Sequence, residues 1–516
     1  MPATPHPRAS APAGIAGGGA ASLGLPLELS DFLSADGAHI LFLHGPPGSG
    51  KSALSSELLG HLDGNLVLVT PAGGTTDPRF LRLIQEVSSE RLAHLRMPNH
   101  GVGDPGSQDR LPGSLFAMAP GPHGSGEDPT AWVSEVQARL SRERHSYVVI
   151  DPWADPGPSG GGGAEAARSP RSTALEALRA AIQGTPSHLI LVSESPLAQN
   201  QASTMDGVIE TSYANLPVGR LRLLSIRKLR GVTISTSEHP YTLTGGRFRC
   251  PPLVPVAGRP KGGPPDPAPT ARPGMLWPGS EAFARVFGWL RLGSMTALEV
   301  GDAVPDYVAT TLLTPLVAQA IHGGGRVVWV TSPTALPEDY LELLLQWLPR
   351  EEIAAGLRIL SAGGGDDEPL LKRVLLDLPL APGSAPSPGT GTATRVAPSF
   401  TDGVRFLEGT PEGGAAVFVL SFEGLRAVAA VTGVKYDPAT FPLIVARYLR
   451  IPRFHGIGIT RSADQLGSTV RGSTEMVIRA DAKFGRIFLT GIRPETLPQA
   501  LTWDPADGRY QLVEMS

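Results

Sequence analysis

Cysteine is nearly absent: Cys250 is the single one in 516 residues. A disulfide within the chain is therefore excluded, and so is a cysteine-based zinc site. Long apolar runs are missing too, so no segment reads as a membrane span. Residues 1–25 are rich in Ala, Gly and Pro, with Arg8 as their only Lys or Arg, and lack the charged-then-apolar order of a signal peptide. The expectation is a soluble cytoplasmic protein with a disordered tail and no membrane partner. A bias of charge is also lacking: 44 Lys and Arg stand against 48 Asp and Glu, for a net charge of −4. No strong field draws this chain to nucleic acid or acidic lipid. The histidines are scattered, and none sits in a helical metal-ligand pair.

Glycine and proline are plentiful, but they cluster, as loops and linkers inside a folded protein do. The length predicts two to four domains at about 100–200 residues each. From Pro26, short apolar strands alternate with helices. His39–His44 reads as a buried strand, and a helix follows with Leu54, Leu58, Leu59 and Leu62 on one face. Further strands are expected at 65–70, 147–150 and 188–192, with helices at 132–142 and 173–182. The stretch 97–128 reads as a long surface insertion. Residues 207–210 and 220–228 and a hairpin around 241–250 complete the first half. Continuous apolar strands between helices argue a mostly parallel sheet covered on both faces.

Residues 251–273 are dense in Pro and Gly and read as an interdomain linker. After them the same order of segments returns. Asn65–Thr70 is matched by Arg326–Thr331, and Pro71–Leu81 by Pro333–Leu341. Tyr147–Ile150 is matched by Ala416–Leu420, His188–Ser193 by His455–Thr460, and Gly219–Arg227 by Gly485–Arg493. Five matches in one order indicate an internal duplication. The expected divisions are a tail at 1–25, a first α/β domain at 26–254, a linker at 255–276 and a diverged second domain at 277–516.

The run Gly45-Pro46-Pro47-Gly48-Ser49-Gly50-Lys51-Ser52 fits G-x-x-x-x-G-K-[ST] between a strand and a helix. Glycines let backbone N–H groups turn inward around phosphate oxygens, and a helix N-terminus adds positive potential there. Lys51 would meet the β and γ phosphates, and Ser52 would ligate Mg2+. The expected cofactors are ATP and Mg2+. Asp151 ends the strand YVVID, where a carboxylate orients the magnesium; as a lone strand-end aspartate it also fits a helix cap. Ser193 and Glu194 end the next strand, placed either to sense the γ phosphate or to cap the following helix.

This order of phosphate loop, strand ending in Asp, strand ending in Ser-Glu and then Asp206–Glu210 resembles the RecA-like ATPases of the KaiC and archaeal Rad branch. The fold implied is α/β, with tandem RecA-like domains, each a mostly parallel sheet flanked by helices. Residues 224–231 (LSIRKLRG), followed by His239–Leu243 (HPYTL), carry the best local match. The resemblance implies that Lys228 and Arg230 act on a neighbouring subunit's nucleotide. Two apart on a strand, they would point the same way; solvated edge-strand cations are the plainer alternative. The loop is also similar to that of the archaeal gas-vesicle regulatory D family.

Two departures bear on function. Where KaiC-like ATPases carry a Glu pair, this chain reads Val69-Thr70-Pro71-Ala72, so hydrolysis should be slow or should use another carboxylate, such as Glu194. In the second half the aligned loop is Gly301–Val308. Tyr307 and Val308 replace the lysine and hydroxyl, Ser421 stands for Asp151, and Pro494 stands for Lys228. A degenerate, nucleotide-free second domain is expected. Three functions remain: a regulatory ATP-binding switch with weak or no ATPase activity, a DNA-transacting ATPase, or a small-molecule kinase. The first is favoured by the missing base and the lost second site. Nucleic acid is disfavoured by the absence of a basic stripe. Expected partners are ATP, a homo-oligomer or docking between the two halves, and a regulatory protein.

Overall fold

The computed structural model describes residues 24–35, 37–61, 65–69, 115–118, 146–151, 153, 170–183, 185, 187–196, 202–215, 219–253, 265–361, 369–376, 398–432, 451, 453–461, 472, 474–503 and 509–515. Helix α1 (Leu27–Leu33) opens the first half, and β1 (His39–His44) leads through the glycine-rich loop into α2 (Lys51–His61). Next come β2 (Asn65–Val69), β3 (Leu115–Met118), β4 (Ser146–Ile150), α3 (Pro170–Ile182) and β5 (His188–Ser193). Strands β6 (Gly207–Asn215), β7 (Arg220–Leu229) and β8 (Glu238–Tyr241) end this half.

The second half begins with β9 (Met275–Leu276), α4 (Glu281–Phe287), β10 (Leu290–Arg291), β11 (Ser294–Val300), α5 (Tyr307–His322) and β12 (Arg326–Val330). It continues through α6 (Pro337–Leu345), α7 (Arg350–Gly356), β13 (Leu357–Leu360), α8 (Pro369–Val374), α9 (Pro398–Glu408), β14 (Ala416–Ser421) and α10 (Phe422–Thr432). Last come β15 (Phe454–Arg461), β16 (Met476–Lys483), β17 (Arg486–Arg493), β18 (Gln499–Trp503) and β19 (Tyr510–Glu514).

Each half is built on one large sheet. Among the described residues the first has the order β3-β2-β4-β5-β1-β6-β7-β8, and the second β13-β12-β14-β15-β11-β16-β17-β18-β19. The two orders coincide strand for strand, apart from the extra β19. In both, the first six strands are parallel and the last ones antiparallel. The α/β class and the mostly parallel sheets read from the sequence are therefore present.

The apolar runs follow from burial on both faces. Leu41, Leu43 and Ile209 pack toward α1 and α2, against Leu29, Phe32, Leu54 and Leu58. Ile40, Phe42, Leu189 and Leu191 pack toward α3, against Leu175, Leu178 and Ile182. One strand thus serves two cores, and HILFLH has no polar alternation to show.

Several expectations are corrected. Leu115–Met118, inside the stretch read as a surface insertion, is edge strand β3, in register with β2. Its four residues are too short and too flanked by Gly and Pro to register as a strand alone. Helix α3 starts at Pro170, three residues early, since proline suits a first helical turn. Helix α5 runs to His322 through Pro315. Residues 265–276 are no free linker. Asp266 accepts the Trp277 indole N–H on its carbonyl at 3.1 Å and pairs with Arg509 at 3.0 Å, while Met275–Leu276 pairs with Leu290–Arg291. Proline density hid these long-range partners. The expected helix at 132–142 lies outside the described residues.

The halves touch along β7 and β8. Leu221 and Leu223 share a buried cluster with Phe488, Ala500 and Met515. Arg486 is 3% exposed. It donates to the Pro251 carbonyl at 2.7 Å and the Phe484 carbonyl at 2.9 Å, and its third nitrogen lies 3.2 Å from His239 Nδ1. Burial lowers the pKa of His239, and the Arg486 charge lowers it further. A neutral imidazole beside the guanidinium follows. Arg486→Ala leaves the buried Pro251 carbonyl unpaired, at an expected cost of about 1–3 kcal/mol in denaturant unfolding; an unchanged midpoint would refute this role.

Candidate functional site

The glycine-rich loop sits where parallel sheets place their sites, at the carboxyl ends of the strands beside a change in strand direction of connection. Strand β1 lies between β5 and β6, with His44 level with Ser193 on one side and Glu210 on the other. The loop is anchored at its start by Gly45 N–H donating to the Ser193 carbonyl at 3.2 Å. A Cβ on Gly45 would stand 2.1 Å from Thr211 Oγ1 and 2.3 Å from the Thr211 carbonyl. Gly48 and Gly50 have φ of 72° and 86°, the left-handed region that favours glycine.

The loop is also held from behind. Ser49 Oγ and Thr211 Oγ1 are 2.7 Å apart, and the Tyr241 hydroxyl donates to the Ser49 carbonyl. Leu243 lies against Gly50, and Tyr213 donates to the Pro47 carbonyl at 3.4 Å. Arg247 pairs with Glu57 of α2 at 2.9 Å, fastening the hairpin to the helix that begins at Lys51. These residues went unread in the sequence as parts of the site. The alternation Thr211, Tyr213 along β6 puts both on one face and was the available signal.

Lys51, Ser52 and Asp151 are brought together. Lys51 Nζ donates to the carbonyls of Gly45 at 2.9 Å and Pro46 at 3.0 Å, so the ammonium is curled into the loop. Burial lowers its pKa, opposed by the charges of Glu194 and Asp151. Ser52 Oγ donates to Asp151 Oδ2 at 2.8 Å across the sheet end. Burial raises the Asp151 pKa, with the Ser52 bond and Lys51 pulling it back. Glu194 thus stands close enough to act on both charges. Ser193 is different: its hydroxyl accepts the Ser195 N–H at 3.2 Å and is committed to its own turn. A glycine-rich loop opening a helix, one lysine and a Ser–Asp pair suit a polyphosphate and a hard cation sharing oxygen ligands. Among the described residues no group of three or more His, Cys, Asp and Glu gathers as a metal site; a magnesium held chiefly by phosphate needs none. Residues 70–72, where a Glu pair was sought, lie outside the described residues.

Lys228 and Arg230 are not part of this cluster within the chain. Lys228 is level with Val208, while the Arg230 backbone N–H donates to the Asp206 carbonyl, level with the start of β1. Five residues of strand separate Ile40 from Gly45, about 16 Å. Both side chains end on the 202–206 segment. Strand β7 ends at Leu229, and Arg230 lies in the turn beyond. Lys228 donates to the Ser203 carbonyl at 3.1 Å, and Arg230 pairs with Asp206 at 2.7 Å.

The second half repeats the frame with other chemistry. Glu299 faces Thr460 and Arg479 as His44 faces Ser193 and Glu210. From that level the second loop is one residue longer before its helix opens at Tyr307. Arg461, at the end of β15, fills the place corresponding to Glu194. It donates to the carbonyls of Gly301 at 3.0 Å and Val304 at 2.9 Å, and pairs with Asp306. The loop therefore carries its own cation and counter-ion. Sequence comparison missed Arg461, although it follows HGIGIT as Glu194 follows HLILVS. The counterpart of Lys228 is also corrected. Both β6–β7 and β16–β17 pairings skip one residue, so Val208–Lys228 corresponds to Val477–Arg493, and Arg493 rather than Pro494 takes that place. The bulge is at the same place in both pairings, so the offset arises earlier: Arg486, level with Lys483, corresponds to Leu221, level with Ala214, and an alignment on the two Gly-Arg starts is one residue out along the whole strand.

No protein-family profile matches the chain, and no curated protein is similar to it. Among the described residues no helix is long and apolar enough to cross a membrane.

The geometry makes a direct prediction for the loop. Gly45→Ala drives a carbon into the Thr211 backbone, so the loop must shift away from β6. We expect anion binding at the loop to fall at least tenfold with folding retained, followed by phosphate-analogue titration and circular dichroism; intact binding would show that the loop does not need this close approach.

Proposed function

We propose that the first half binds one nucleoside triphosphate with magnesium, read here as ATP, and that the protein is a regulatory switch with slow or absent hydrolysis. The observation that carries this reading is the meeting of Lys51, curled onto the loop carbonyls, with the 2.8 Å Ser52–Asp151 pair. In this reading the triphosphate displaces Lys51 from those carbonyls, and the ammonium turns to the β and γ oxygens. Ser52 and Asp151 would hold the magnesium, which would supply positive charge to the buried carboxylate and to the phosphate oxygens. Glu194 is the carboxylate placed to orient an attacking water, next to a cationic Lys51.

The matching strand orders support tandem RecA-like domains of the KaiC kind, with a second domain that has lost its nucleotide. Arg461 and Asp306 supply the physical reason: an internal ion pair stands where phosphate would have to enter. The packing of Phe488 and Arg486 on β7 and β8 favours docking of the second half over ring growth at that edge. In such a chain the switch acts through its own second half, and a regulatory protein partner reads the result.

Two measurements test this. Lys51→Ala removes a charge-assisted contact worth about 1.5–3 kcal/mol, so ATP affinity should fall at least tenfold. Calorimetric titration should give one nucleotide per chain. Two equivalents would overturn the account of Arg461 and Asp306, and unchanged affinity in the lysine variant would overturn the loop assignment. By contrast, Lys228→Ala with Arg230→Ala should leave ATP affinity within about twofold while lowering the melting temperature through the loosened 202–206 turn. A loss of binding as deep as that of Lys51→Ala would place those cations in the site after all.

A further inference from the structure

Beside the tip of the loop, the outer strands carry a row of side chains that extends beyond the loop it braces. Tyr213 of β6, Arg222 of β7 and Tyr241 of β8 are cross-strand neighbours in one row on the α2 face of the sheet. The row starts at the loop: the Tyr213 hydroxyl reaches the Pro47 carbonyl at 3.4 Å and lies 3.7 Å from where a Gly48 Cβ would be. Two guanidinium groups flank the Tyr213 ring, Arg220 at 5.8 Å and Arg222 at 5.9 Å from its centroid. Arg220 is exposed and Tyr213 half-buried.

Two observations separate this group from an ordinary surface. Arg222 Nε is buried and has no hydrogen-bond partner among the described residues. An unpaired buried N–H is costly and asks for an acceptor. The other face of β7 is also packed, since Leu221 and Leu223 lie in the cluster formed with Phe488 and Met515 of the second half. The row is thus held rigidly from behind, as a binding shelf should be.

We propose that Tyr213, Arg220 and Arg222 form the shelf for the nucleoside moiety of the bound nucleotide. This rests on the reading of Gly45–Ser52 as a triphosphate site. A flat base stacks on an aromatic ring and on guanidinium planes whatever its sequence identity. Ring nitrogens and ribose oxygens are acceptors for the Arg222 Nε–H. The shelf adjoins Pro47 and Gly48, so phosphates in the loop and a nucleoside on Tyr213 belong to one continuous ligand.

Tripolyphosphate, which has the phosphates and no nucleoside, separates the two sites. In calorimetric titrations with magnesium, Arg220→Ala should weaken ATP about five- to a hundredfold and leave tripolyphosphate within about twofold, and Tyr213→Leu should lose at least about fivefold more affinity for ATP than for tripolyphosphate. Tyr213→Phe keeps the ring and loses only the hydroxyl's bond to the Pro47 carbonyl, so any loss it shows should be equal for the two ligands. Equal losses of ATP and tripolyphosphate in Tyr213→Leu would mean that the side chain acts only through the loop, and would overturn the shelf. So would unchanged ATP affinity in Tyr213→Leu and Arg220→Ala, with the loop assignment left standing by Lys51→Ala. An unaltered protein that binds neither ligand would overturn both the shelf and the triphosphate reading.

Discussion

The contact between Gly45 and Thr211 governs the site. A loop leaving the central strand of a parallel sheet must pass over the neighbouring strand, and here that strand offers a backbone carbonyl with no space for another carbon. Glycine at that point lets the chain turn inward. From there Ser49 reaches Thr211, the helix opens at Lys51, and the Ser52 hydroxyl meets Asp151 from a different part of the sheet. Each later feature depends on the chain first clearing β6.

The same frame occurs twice, and the comparison separates fold from chemistry. Both sheets put a loop and a helix N-terminus beyond their central strand, flanked by the same strands. In the first half the cation comes from the helix, as Lys51, and among the described residues Nζ bonds two carbonyls and no acid. In the second half the cation comes from the adjacent strand, as Arg461, and is neutralised by Asp306. A lysine resting on carbonyls is available to an incoming anion. An arginine held by two carbonyls and a carboxylate has three of its five N–H donors engaged and its charge already met by an acid.

Strand β8 and the turn after it join the two halves. Tyr241 and Leu243 touch the loop, while His239 faces Arg486 and Thr244 approaches the Glu514 carbonyl. A change in the position of Ser49 or Gly50 has a short mechanical route to the second half through the six consecutive residues His239–Thr244. The buried, neutral His239 and the charged Arg486 at the end of that route form a rigid contact rather than a solvated one.

Much of this was legible in the residues themselves. Apolar runs bounded by turn residues marked β1, β4, β5, β12, β14 and β15, because strands buried on both faces have no alternation to blur. The loop was legible because its glycines, lysine and serine answer to local requirements. Asp151 was legible because it ends a strand. What only the tertiary structure decided depends on distant partners. Edge strands β3 and β13 are too short to be marked without the neighbour that pairs them. Residues 265–276 are ordered by Trp277, Leu290 and Arg509, which composition does not reveal. Arg461 fills the second loop from the far end of another strand, and the register set at the β16–β17 hairpin brings Arg493 to the place assigned to Pro494. Local chemistry determined what each segment can form, and long-range packing determined which segment it meets, since contact energies between distant residues leave no period in the sequence.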